Sequence, residues 1–254
     1  MPTPRKPLRL NVGFLAYNTQ QAPFDKPEVR TALNMAINKP AILEAVFQGF
    51  ASAAINPIPP TMTAWDPSIQ DYPYDPAAAR QMLADAGVTN LTMNVWAMPV
   101  SRPYNPNARR MAELIQADFA AVGVTANIVS YEWGEYLARS QAVDRDGAVL
   151  LGWNGDNGDP DNFLAVLLGC DAVGGANRAQ WCNTEFNDLI QEAKTLNDPA
   201  QRNALYMQAQ EIFHAEAPWA PIAHSVAIMP IRDNIKGYVM NPFAIHEFAT
   251  VTVQ

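Results

Sequence analysis

The sequence is poor in the residues on which most chemistry is built. Among 254 residues there are three histidines and two cysteines, and charged residues make up only 17%. His214, His224 and His246 have no Gly-x-Ser-x-Gly elbow to supply a nucleophile, so Ser-His hydrolysis lacks its parts. No Gly-x-x-x-x-Gly-Lys loop is present to cradle a phosphate. Cys170 and Cys182 have no second Cys/His pair at ligand spacing, which argues against a zinc site. There is no basic excess: the formal net charge is −8, which speaks against binding nucleic acid through a basic surface. No apolar run approaches the roughly 20 residues that span a bilayer, so no direct membrane span is expected. The opening Met1-Pro2-Thr3-Pro4-Arg5-Lys6-Pro7 has no apolar core like that of a signal peptide. Either the protein stays inside the cell or the chain is a piece of a longer precursor.

The remaining composition is that of a packed protein. Hydrophobic residues make up 49%, enough for a substantial core in one or two domains. Strand patterns alternate with helix patterns, which predicts an α/β layered domain with a partly parallel sheet. Strands are predicted at 8–17, 91–98, 124–131 and 147–153. Asp25-Lys26-Pro27-Glu28 reads as a helix start, with Asp25 as N-cap and Glu28 as its reciprocal partner. A second helix over 40–48 is stopped by Gly49. The proline-rich segment 55–75 reads as extended and irregular. Asp75-Pro76 and Asp198-Pro199 mark further helix starts. Helices are also predicted over 106–122, 132–141 and 184–196, and the end from Trp219 reads as short strands and turns.

Two constellations carry chemistry. The first is Gly152-Trp153-Asn154-Gly155-Asp156-Asn157-Gly158-Asp159-Pro160-Asp161-Asn162-Phe163, which follows the apolar run Ala148-Val149-Leu150-Leu151. It reads as a buried strand emptying into an acidic loop and then a helix, at a strand end where α/β proteins hold ligands. The cation it meets is a metal, a substrate ammonium or a neighbouring arginine. Against calcium, Leu167 stands at the twelfth position from Asp156, where a closing glutamate belongs. A glycosidase pair needs a fixed carboxylate separation, and nothing sets one. Asp159 is well placed as a helix N-cap. The second constellation surrounds Arg102, held between Ser101 and Pro103 in a turn that can present a fixed fork to a carboxylate. Spacing alone favours a plain surface arginine, or one paired with Asp85 or Glu113. For Cys170 and Cys182, spacing leaves open a disulfide, which needs an oxidising compartment, and two unrelated buried thiols.

Longer runs narrow these alternatives. Trp96-Ala97-Met98-Pro99-Val100, Arg102-Pro103-Tyr104-Asn105-Pro106-Asn107-Ala108-Arg109-Arg110-Met111-Ala112 and the Asp156 loop resemble the periplasmic dipeptide-binding proteins. These belong to the peptide/nickel-type solute-binding family of ABC importers. Tyr131-Glu132-Trp133-Gly134-Glu135-Tyr136-Leu137 and Ile55-Asn56-Pro57-Ile58-Pro59-Pro60-Thr61-Met62 look like the same family. The resemblance runs from about Leu10 to the C-terminus and covers only the C-terminal half of family members. It implies a type II periplasmic-binding-protein-like lobe, a mixed sheet flanked by helices. Residues 8–227 would form this second lobe, and 228–254 would return to a first lobe outside the chain. The missing signal peptide would then belong to a missing N-terminal half.

The resemblance also assigns roles. Asp156 matches the aspartate that meets the peptide α-ammonium, and Arg102 the arginine that holds the α-carboxylate. Ser101 departs from the Gln that relatives can carry there. Trp153 and Tyr104 would be pocket walls, and Cys170–Cys182 a disulfide. The implied protein is a periplasmic receptor, not an enzyme, with no cofactor and no metal. Its partners would be a dipeptide and an inner-membrane ABC permease. Within the same class the ligand could instead be haem, aminolevulinate, glutathione or a nickel chelate; outside it, a metal-dependent hydrolase is the remaining alternative.

Overall fold

A computed structural model describes residues 10–226, 229–241, 243 and 245–254. Residues 8 and 9 of the expected first strand, and residues 227 and 228 at the expected lobe boundary, lie outside the described residues. In chain order the elements are β1 (Asn11–Tyr17), α1 (Pro27–Ala36), α2 (Lys39–Ile42) continuing into a π turn (Leu43–Phe47), β2 (Ala51–Ala53), α3 (Pro76–Asp85), β3 (Thr92–Trp96), α4 (Ala108–Ala121), β4 (Thr125–Val129), α5 (Trp133–Ser140), β5 (Ala148–Asn154), α6 (Asp161–Leu168), a 3₁₀ turn (Cys170–Ala172), α7 (Thr184–Thr195), α8 (Pro199–Glu216), β6 (Trp219–Ser225), β7 (Ile235–Lys236) and β8 (Thr252–Val253).

Six strands form one mixed sheet in the order β2-β6-β1-β5-β3-β4. The β3–β4 and β3–β5 pairs are parallel, and the pairs β1–β5, β1–β6 and β2–β6 are antiparallel. β1 is buried along its whole length because both faces of the sheet are covered. Its alternate side chains feed two cores. Val12, Phe14 and Ala16 join Val149, Leu151, Phe163 and Trp219 on one face. Leu15 and Tyr17 join Leu33, Ile115, Phe119 and Leu150 on the other. Phe14 stacks on Trp219 with ring centroids 3.8 Å apart. β7 and β8 pair separately in a small two-stranded sheet.

Local capping sets most helix starts. Asp75 accepts from the amides of Ala77 and Ala78, and Asp198 from that of Ala200, as their Asp-Pro sequences predict. Asn107, Glu132 and Asn183 cap α4, α5 and α7 in the same manner. The expected cap at Asp25 is corrected: Lys26 is the N-cap residue of α1, with no side-chain cap bond. The chain folds back just before it, with Asp25 N–H donating to the Gln21 carbonyl and Lys26 N–H to that of Pro23. Asp25 is therefore consumed in a turn, and Pro27 opens the helix where no donor is needed. Cys170 and Cys182 are joined in a disulfide that closes the loop between α6 and α7.

Candidate ligand-binding site

The site is built on a pair of glycines. Gly13 of β1 and Gly152 of β5 face each other in the antiparallel register. A Cβ at Gly13 would overlap the Tyr104 carbonyl, and one at Gly152 would overlap the Tyr104 ring. The bare backbone lets the segment after β3 lie flat across the sheet. There Arg102 and Asn105 exchange two backbone hydrogen bonds of 3.0 and 2.9 Å, closing a tight turn around Pro103 and Tyr104. Tyr104 is only 6% exposed. Burial pushes its phenol pKa up, while the guanidinium groups of Arg102 and Arg178 pull the other way.

Arg102 emerges from this turn half-buried, its Cζ 4.9 Å from the centre of the Trp133 ring. Trp133 opens α5 and stacks on Tyr136. The Tyr136 hydroxyl lies 3.0 Å from the Trp96 carbonyl and 2.6 Å from that of Leu150, tying α5 to β3 and β5. A cation over an indole face is attracted by the ring without a partner carboxylate; Arg102 Nη1 also donates to the Ser101 carbonyl at 3.3 Å, and no ion pair among the described residues involves this guanidinium. The expected structural partners are occupied elsewhere. Glu113 pairs with Arg109 and Arg110, and Asp85 accepts from Gln81.

The acidic loop forms the other wall. Trp153 sits near the end of β5, and Asp156 lies just past it, exposed. Asn162 in the first turn of α6 holds both. Its Oδ1 accepts from the Trp153 indole at 2.9 Å and from the Asp156 amide at 3.0 Å, and its Nδ2 donates to the Asp156 carboxylate at 3.3 Å. The other two aspartates turn away. Asp159 makes a two-point pair with Arg202, at 3.0 and 3.1 Å, and Asp161 pairs with Lys194. The capping bond expected of Asp159 is present: its Oδ1 accepts from the Asp161 amide at 2.9 Å, the bond Asp198 makes to Ala200 at its own Asp-Pro start, with Pro160 already in the helical region. The same carboxylate also ties the loop to α8 through Arg202. Burial raises the Asp159 pKa, but Arg202 and the Asp161 amide outweigh it and the net shift is downward. The three carboxylates therefore do not converge. Among the described residues no group of three or more His, Cys, Asp or Glu side chains is placed to hold a metal ion.

Arg102, Tyr104, Trp153 and Asp156 all line one cavity of about 340 Å³. Trp133, Leu137, Phe14, Leu151, Leu167, Ala176 and Arg178 complete the wall. The arrangement offers one carboxylate, two guanidinium groups and the Asn154 side chain in a cleft whose other side chains are aromatic and aliphatic. No histidine lines it: His214 stacks on Tyr72, His224 is buried with Nδ1 2.6 Å from the Asn11 carbonyl, and His246 meets the Tyr238 hydroxyl. Sequence reasoning missed three of the residues at work here. Trp133 and Asn162 stand inside recognised runs, yet their contacts are tertiary. Arg178 lies in the disulfide loop and has no local signal.

Comparison with known proteins gives a consistent result. The sequence profile described as bacterial extracellular solute-binding proteins, family 5 Middle, matches residues 3–175. A dipeptide-binding protein of Pseudomonas aeruginosa is 50% identical over 245 residues, covering 96% of this chain and 46% of that relative. Heme-binding protein A of Haemophilus influenzae is also 50% identical over 245 residues, covering 96% of this chain and 45% of that relative. A crystal structure of a dipeptide-binding protein from Pseudoalteromonas, in complex with Met-Leu, superposes with a TM-score of 0.90 at 39% identity, covering 99% of this chain and 50% of that one. The chain spans about half the length of the curated relatives it matches. The expected periplasmic-binding-protein-like α/β lobe is the fold found.

Proposed function

The chain belongs to family 5 of the bacterial extracellular solute-binding proteins, and on that premise we propose that its cavity receives a dipeptide on behalf of an ABC importer. The observation that carries this reading is that Asp156 and Arg102 line the same cavity from opposite constellations of the sequence. A dipeptide is a zwitterion whose charged ends lie at most about 7 Å apart, the reach of two extended residues. Asp156 takes the α-ammonium and Arg102 the α-carboxylate. One fixed carboxylate and one fixed guanidinium then measure length, because a longer peptide leaves one buried charge unpaired. Tyr104 and Trp153, with Trp133, form walls that contact peptide side chains through broad apolar faces.

On this reading no bond is made or broken, and the protein is a receptor and not an enzyme. Residues 8–227 act as one lobe of a two-lobed clamp, and 228–254 return to the other lobe. Closure on ligand is what an inner-membrane permease reads, in the periplasm. A second reading, haem as ligand, is favoured by the likeness to heme-binding protein A and by the aromatic walls. Titration with haem, followed in the Soret band, separates the two.

The test is calorimetry with Ala-Ala and Ala-Phe on the longest native polypeptide carrying this sequence. Asp156→Asn and Arg102→Gln are each expected to weaken binding by about 30-fold or more, the scale for stripping one member from a buried charge pair. Normal affinity in Asp156→Asn would move the ammonium site elsewhere.

A further inference from the structure

Arg178 has no part in the scheme above, yet it lines the same cavity and is only 5% exposed. Its place is fixed from three directions. Its Nε donates to Ser140 Oγ at 2.9 Å, and its Nη1 bonds the Gly175 carbonyl. The buried Arg145 donates to the Arg178 carbonyl at 2.8 Å. All of these partners are neutral oxygens except the Arg145 guanidinium, which carries the same sign. Among the described residues no carboxylate pairs with Arg178. Burial lowers its pKa to about 10, so it stays charged at neutral pH. A buried cation without a counter-ion is costly, and the cavity that Arg178 lines gives an anion a way to it.

With Asp156 and Arg102 engaged by the two termini of a dipeptide, Arg178 is left over. We propose that Arg178 is a specificity determinant that pairs with a second, side-chain carboxylate on the ligand, so that the site prefers dipeptides containing Asp or Glu. The proposal rests on the dipeptide reading of the cavity. Arg178, Arg102 and Tyr104 line the same cavity.

The experiment is calorimetry on the longest native polypeptide carrying this sequence, with Ala-Glu, Glu-Ala, Ala-Gln and Gln-Ala. These peptides form two pairs matched in shape, each differing in one charge. In the wild type at least one acidic peptide is expected to bind about tenfold or more tightly than its amide partner, the range for a charge-assisted hydrogen bond. In Arg178→Gln that ratio is expected to fall below about threefold, and Arg178→Lys, which keeps the charge but not the fork, to fall in between. A wild-type ratio near one in both pairs overturns the proposal without any variant, and is the result expected if another part of a longer protein supplies a counter-ion to Arg178. A ratio that survives Arg178→Gln also overturns it. Failure of all four peptides to bind sinks the dipeptide reading itself, and this proposal with it; binding without acidic preference sinks only the latter.

Discussion

Asn162 serves two residues of one cavity wall with one amide, orienting the Trp153 indole and the Asp156 carboxylate together. Asn162→Ala should lower dipeptide affinity by about tenfold while leaving the melting temperature nearly unchanged, since the bonds lost are only partly buried or exposed; calorimetry and a thermal melt check both halves. Gly152 contributes by having no side chain. Gly152→Ala drives a methyl into the Tyr104 ring and the Val12 carbonyl, and overpacking of this kind costs about 1–3 kcal/mol, measurable by urea denaturation. His224 makes a pH prediction. Burial pushes its pKa from the ordinary 6.5 down to about 4, with the Asn11 carbonyl opposing and Lys39 assisting. The unfolded chain then takes up a proton between those limits that the folded one does not. Stability is complete above about pH 6.5 and falls as pH drops towards 4, by about 3 kcal/mol. His224→Gln should flatten that slope in denaturation curves taken across the range; an unchanged slope would place the acid sensitivity in other groups.

The loop between α6 and α7 carries Ala176 and Arg178 to the cavity and is closed by the Cys170–Cys182 disulfide. A crosslink over a loop this short is worth roughly 3 kcal/mol in the chain-entropy model. The double substitution Cys170→Ser/Cys182→Ser should therefore lower unfolding free energy by about that amount and loosen the Arg178 wall. Hydrogen exchange of residues 171–181, faster in the variant, would register the loosening. Elements of this kind were unequally legible in the sequence. The starts of α3 and α8 were readable because Asp-Pro encodes a cap and a first helical residue within two positions. The start of α1 was misread because a preceding turn claims Asp25, a tertiary choice that local spacing does not carry. That Asp156 and Arg102 belong together is an expectation of motif resemblance alone, since spacing leaves Arg102 a surface residue; both line the cavity. Arg178 was not found, because only the path of the disulfide loop over the sheet brings it to the cavity.

For the whole molecule, the sheet with two covered faces supplies a rigid platform, and the cavity sits on one of its faces where β1, β5 and α5 meet. The described part of 229–254 is different in kind: Val239, Phe248 and Val253 are large apolar residues left exposed. On the two-lobe reading these face the remainder of a longer protein, and this chain alone should bind dipeptides at least tenfold more weakly than that protein, since half of a clamp cannot close. Equal affinity in paired calorimetric titrations would count against the clamp. The most direct test of the central claim, that Asp156 and Arg102 read the two ends of a dipeptide, is to block those ends one at a time. The affinities of Ala-Phe, N-acetyl-Ala-Phe and Ala-Phe-amide are to be measured on the longest native polypeptide carrying this sequence and on its Asp156→Asn and Arg102→Gln variants. Each block should cost about 30-fold or more in the wild type, with the acetyl penalty collapsing only in Asp156→Asn and the amide penalty only in Arg102→Gln. Blocked peptides that bind as tightly as Ala-Phe, or penalties that persist in both variants, would contradict it.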